Sequence, residues 1–158
     1  MRVMKTFLVV VALVWGAGVT YAQEGATITD EELSKYATAM DSVNEMSASV
    51  MVTISDMVKN STVMNAARYN DLSKIAKDDA KLAEAKATPE EIAFLNEVAT
   101  KKEEETARIN AAFQSLAKDY VGVAVFNKVK KALSADAELK TKYDSLMDEL
   151  KKDNPVVQ

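Results

Sequence analysis

The sequence predicts an all-α protein, an elongated bundle of about five helices with coiled-coil-like seams. Three observations lead there. From Thr29 onward the apolar residues recur three and four apart, which places them on one face of a helix. Thr-x-x-Glu capping boxes open the two longest of these stretches, at Thr29 and Thr88, a sequence-level mark of a helix start. Four glycines and two prolines in 158 residues are too few for a sheet protein rich in tight turns.

The first helix is expected over 30–59. In Thr29-Asp30-Glu31-Glu32 the threonine hydroxyl can accept from the Glu32 amide while the Glu32 carboxylate reaches back. Leu33, Tyr36, Met40, Val43, Val50, Ile54 and Met57 follow in a heptad seam with one missing step. Such a helix is roughly 45 Å long at about 1.5 Å per residue, and Asn60-Ser61-Thr62 stops it. A second helix is expected over 65–85, turning Tyr69, Leu72, Ile75 or Ala76, and Leu82 inward. Its Ala and Lys content gives good intrinsic propensity.

Thr88-Pro89-Glu90-Glu91 opens a third helix over 89–120, with proline at the first helical position, where a missing amide costs nothing. Ile92, Leu95, Ala99, Ile109, Phe113, Leu116 and Tyr120 form its seam. Gly122 marks a break before a fourth helix, 123–133, and a fifth, 136–151, with Leu139, Tyr143, Leu146 and Leu150 inward. The run Val121 to Phe126 is β-branched enough for a strand, but no partner strand exists elsewhere, so it reads as buried helix. Residues 153–158 should form a frayed tail.

The first and third helices share a pattern at an offset of 59 residues. Tyr36 falls on Leu95, Val50 on Ile109 and Ile54 on Phe113, and the seam gap at Ser47 falls on Thr106. In an up-down-up arrangement these helices run parallel. Ser47 and Thr106 would then stand at one height and form a weak polar layer, the kind that fixes register in coiled coils.

The first 22 residues read as a secretory signal peptide. Arg2 and Lys5 precede an apolar run, Phe7 to Trp15, and Thr20-Tyr21-Ala22 supplies small residues for cleavage between Ala22 and Gln23. That run is about half the roughly 20 residues a membrane span needs. Cleavage leaves 23–158 as a single helical domain, removes the only tryptophan, and moves the net charge from −4 to −6. The product is expected in a periplasm or outside the cell, with no integral membrane span.

Composition excludes several chemistries. With no cysteine and no histidine there is no disulfide framework, thiolate zinc site, catalytic thiol, imidazole base or histidine-held metal. An acidic chain is a poor binder of nucleic-acid backbones. No metal, cofactor or catalytic residue is expected. Ser115-Leu116-Ala117-Lys118 has the spacing of serine–lysine acyl enzymes, but the Ser-Asp-Asn and Lys-Thr-Gly elements of that machinery are missing. Lys101-Lys102-Glu103-Glu104-Glu105 reads as a solvated face, with Glu97–Lys101 and Glu104–Arg108 as i,i+4 pairs. Asn60-Ser61-Thr62 matches a glycan acceptor, which matters only in a eukaryotic source, and local helix termination is the better reading.

Met40, Met46, Met51, Met57 and Met64 are the candidate binding residues. Their gaps of 6, 5, 6 and 7 do not suit copper, which would want thioethers three or four apart on one face. They suit gap-filling core, or an adaptable methionine-lined groove.

Three segments, Ile28-Thr29-Asp30-Glu31-Glu32-Leu33-Ser34-Lys35-Tyr36-Ala37, Phe126-Asn127-Lys128-Val129 and Asp136-Ala137-Glu138-Leu139-Lys140, carry a resemblance. They resemble an acidic helix start, an Asn-x-x-hydrophobic step and an Asp-x-Glu-Leu step. These belong to a family of exported bacterial helical proteins catalogued as domain of unknown function 4168. The resemblance implies export, a bacterial source and an all-helical domain, and no activity or site comes with it. The expected function is therefore non-enzymatic. Contacts with other envelope proteins or self-association lead, and the alternative is a carrier holding a peptide or small apolar ligand in the methionine groove.

Overall fold

The computed structural model describes residues 27–153. The expected leader, the expected cleavage site at Ala22 and Gln23, and the tail from 154 on lie outside the described residues. Within them the protein is all-α. It comprises α1 (Asp30–Lys59), α2 (Ala66–Ser73), α3 (Asp79–Glu84), α4 (Pro89–Ser115), a π-helical segment (Leu116–Gly122), α5 (Val123–Ala135) and α6 (Ala137–Lys152). No helix among the described residues is long and apolar enough to cross a membrane.

Both capping boxes form. Thr29 Oγ1 accepts from the Glu32 amide at 3.2 Å and Glu32 Oε2 from the Thr29 amide at 2.9 Å. Thr88 and Glu91 repeat this at 3.2 and 3.0 Å. Asp136 caps α6, accepting from the amides of Glu138 and Leu139. The segment 121–126 is helical, as expected, but it is not buried throughout. Val121 is buried while Val123 is 56% exposed and Ala124 is exposed, so its β-branched run is only partly turned to the core.

The expected second helix, 65–85, is instead two short ones. Asp78 takes the cap role for α3, accepting from the Lys81 amide at 3.1 Å, and the chain between Leu72 and Asp78 closes in tight turns. A local side-chain cap competes with helix propagation, and here it wins. Beyond α3, Lys86 adopts a left-handed φ of 52°. The Ala87 amide bonds Leu82 O and the Lys86 amide bonds Ala83 O, the pairing of a Schellman motif.

That break reverses the expected packing of α1 and α4. Two short helices do not traverse the bundle, so the chain enters α4 near the end where it left α1. Ile54, Met57 and Val58, in the last turns of α1, share a core with Phe94, Leu95 and Val98, in the first turns of α4. Met64, Leu72 and Leu82 close that core from α2, α3 and the loop before them. At the other end, Phe113 of α4 meets Phe126 at 5.5 Å, and Phe126 meets Tyr36 of α1 at 4.9 Å. The two long helices therefore run antiparallel, not parallel, and Ser47 and Thr106 do not form a polar layer. Thr106 is exposed, and the half-buried Ser47 donates to Val43 O of its own helix at 2.8 Å.

The second core surrounds Leu33, Tyr36 and Val129, with Ile28, Met40, Phe126, Leu139, Tyr143 and Leu146 against it. Here α5 and α6 both pack on α1, so α1 buries Ala37 and Ala39 in addition to its seam. The third helix is α-wound only to Ser115. In the π segment, the wider i→i+5 winding turns each residue through a smaller angle. The inward position passes from Tyr120, expected on the seam but 46% exposed, to Val121, 7% exposed. Gly122 ends that segment at φ 88°.

Candidate functional site

Alongside the core around Leu72, the second half of α1 is flanked by α2 and by Lys102 of α4. The three helices leave an open trough of about 450 Å³. Val50, Ile54, Val58 and Tyr69 supply its apolar lining, with Ser55, Ala66 and Asn70 between them. Met51 lines the trough and is 74% exposed. A methionine held this far into water on a concave apolar surface makes the trough the candidate contact surface.

Lys59 and Lys102 are the charged residues of the lining. Among the described residues neither is paired with a carboxylate. Lys102 is left without one because its neighbour Glu105 binds Lys101 and Arg108, each at 3.0 Å. This differs from the solvated face expected of the charge run. Glu105 is 8% exposed, turned inward by the phase of α4, and it takes the two cations assigned by spacing to Glu97 and Glu104. Lys101, then Arg108, holds its carboxyl below the usual range.

The α2 wall is fixed from behind. Arg68 donates to both oxygens of Glu91, from Nε at 2.8 Å and from Nη2 at 2.9 Å. Nη2 also reaches Ala85 O at 3.1 Å and Lys86 O at 3.3 Å. Glu91 serves α4's capping box at the same time, accepting from the Thr88 amide. Arg68 first, then that amide, pulls the Glu91 carboxyl down to about 2. One residue on, Tyr69 sets its ring edge-on to Phe94 at 6.2 Å, and burial raises its phenol. A larger and more polar cavity of about 620 Å³ is lined by this ion pair and by the loop before α2. The Arg68 and Glu91 charges that line it are already spent on each other, which leaves the trough as the better candidate.

The five candidate methionines are not gathered on one surface. Met40 packs on the core around Leu33, while Met57 and the 6%-exposed Met64 belong to the core around Leu72. Met46 is half-buried between them. Met51 alone of the five lines the trough. Gaps of five to seven residues spread side chains around a helix turning every 3.6 residues or so.

Ser115 donates to Asp119 Oδ2 at 3.0 Å, so its hydroxyl is engaged away from Lys118. Asn60 is exposed at the end of α1, its amide bonded to Asp56 O at 2.9 Å, consistent with helix termination. Among the described residues, no three acidic, histidine or cysteine side chains cluster as metal ligands would. Spacing gave no sign of Asp41, which is 8% exposed with Oδ1 unbonded. It sits within electrostatic reach of Tyr143, whose phenol is raised by burial first, then by Tyr36, Asp144 and Asp41. Arg68 was equally silent, since its partner lies 23 residues away.

The segments that carry the family resemblance meet in the core around Leu33. Lys128 binds Glu32 at 2.8 Å and Thr27 O at 3.0 Å, and Lys142 binds Asp30. Comparison of the chain with protein-family models, curated proteins and solved structures returned no match.

Proposed function

We propose that this chain is an exported, non-enzymatic helical protein of the bacterial periplasm or cell envelope that works through protein–protein contacts. The contact surface is the trough between α1, α2 and α4. One observation carries the reading: Met51 lines an open apolar concavity while 74% exposed, an arrangement that costs solubility unless a partner covers it. Methionine suits such a surface because its unbranched thioether adapts to irregular neighbours. The leader over 1–22 supports export, and the resemblance of the helix starts supports a bacterial source.

The test places a photo-crosslinking residue at Met51 and, separately, at Glu104, which is exposed on α4 and does not line the trough. Both are expressed with the leader intact. The reading expects secreted material that begins at Gln23 and a discrete crosslinked product from position 51 alone. Retention of 1–22 in the soluble fraction would overturn export. Identical products from both positions, or none, would overturn the contact surface.

A further inference from the structure

We propose that the trough takes an amphipathic, acidic helix of a partner protein; this rests on the contact-surface reading above and names the partner's chemistry. The chain as a whole is acidic, 24 Asp plus Glu against 20 Lys plus Arg. Its trough has the opposite character: two ammonium groups, Lys59 and Lys102, and no carboxylate in the lining. Those two cations stand apart. Lys59 is the last residue of α1. Ile54 and Val58 share a core with Leu95 and Val98 of the antiparallel α4, and Lys102, one turn beyond Val98, lines the same trough as Val50. Val50 to Lys59 spans roughly 13 Å of helix axis. A helix lying along the trough would meet both with carboxylates about nine residues apart, and lay its i, i+3, i+4 and i+7 apolar side chains between them.

The shape argues for a helix over a lipid chain. Small-ligand sites bury about 70–90% of their ligand, whereas this trough is open and leaves Met51 74% exposed. A helix needs only one face covered. An anionic membrane surface is a worse fit, because membrane-binding patches gather about four to eight cations on a convex or flat face.

The experiment uses two fluorescein-labelled helical peptides with one leucine face in common. One carries glutamates flanking that face at the stated spacing, the other lysines. Binding to the purified protein is followed by anisotropy. The glutamate peptide should bind at least about tenfold tighter at low salt, with the difference shrinking at high salt. Lys59→Glu with Lys102→Glu should reverse the preference, and Met51→Glu should weaken both peptides. All three positions are exposed, and helical melts of the variants check that they fold.

Equal affinity of the two peptides, lost in Met51→Glu, overturns the acidic partner while leaving the trough a protein-binding surface. No binding of either peptide, together with no crosslink from position 51, overturns both. A dimer in sedimentation that Met51→Glu dissolves makes the occupant a second copy, and that too overturns the proposal.

Discussion

Arg68 of α2 holds Glu91 in the first turn of α4 with two hydrogen bonds of 2.8 and 2.9 Å. The pair ties a short helix that could not stand alone to the capping box of a long one. It therefore sets the wall of the trough as well as the start of α4.

A pH dependence follows from that pair. Glu91 titrates at about 2 in the folded chain against 4.5 for a free glutamate. Its folded pKa is depressed, so its contribution to stability is complete above about pH 4.5 and is lost as pH falls toward about 2. Glu31, Glu32, Asp78 and Glu105 are lowered as well, so wild type should weaken across the acid range. Glu91→Gln should be less stable than wild type at neutral pH and should converge with it toward about pH 2. Urea midpoints at a series of pH values read this directly. Parallel curves for the two proteins would show that Glu91 adds nothing through its charge.

Backbone handedness gives a second pair of expectations. Lys86 closes α3 at φ 52°, a conformation that costs a side-chain-bearing residue about 1–2 kcal/mol. Arg68 uses only the backbone oxygen there, so Lys86→Gly keeps that bond. It should stabilise by about 1 kcal/mol once the extra flexibility of the unfolded glycine chain is set against the gain. Gly122 is the reverse case, at φ 88° with nothing within 4 Å of an added Cβ. With ψ at 130° it lies outside the left-handed helical well, in a region few residues but glycine enter, so Gly122→Ala should destabilise by about 1–3 kcal/mol through backbone alone. Thermal or urea melts decide both.

The reversed direction of α4 is open to a chemical check because the chain has no cysteine. Val50 and Lys102 both line the trough, and the doubly substituted Val50→Cys, Lys102→Cys should join under a short bis-maleimide. The 59-residue offset would instead set Val50 against Ile109. Val50→Cys with Ile109→Cys should not join, and intact mass after tryptic digestion distinguishes the two. Linkage of the second pair and not the first would restore the parallel arrangement.

That direction was the part of the fold that local signals could not carry. Helix starts were legible because capping is a three-residue affair, and Thr29 and Thr88 cap as their neighbours imply. The break at Gly122 was legible for the same reason. Lys74 to Lys77 offered no glycine or proline to announce a turn, and Asp78 as a cap looks like any aspartate in a polar stretch. Missing that one turn changed the number of crossings and so the direction of α4. The site suffered likewise. A trough made from three elements depends on their arrangement, so Met51 was visible as one methionine among five, and Lys102 as one lysine in a charge run. Their meeting was not.

The two cores should also differ in how they open. Leu33 and Leu72 are each 1% exposed, so truncation of either to alanine should cost about 3 kcal/mol or more. Their surroundings are unlike. Leu33 lies under α1, α5 and α6, which run for 30, 13 and 16 residues. Leu72 lies in an 8-residue helix followed by a 6-residue one, each too short to persist without tertiary contacts. Losing Leu72 removes the most deeply buried apolar anchor of α2, leaving that helix to Arg68 and the half-buried Tyr69. Leu72→Ala should therefore release the α2 and α3 amides to hydrogen exchange while the amides of α1 and α4 stay protected, a local opening below the global one. Leu33→Ala should instead speed exchange in α1, α5 and α6 together. Peptide-level exchange at neutral pH separates these patterns. The trough adds a second readout, since α2 is its wall: Leu72→Ala should lose peptide binding at position 51 that Leu33→Ala keeps. Uniform exchange across all six helices in the Leu72 variant would mean that the two cores unfold as one unit.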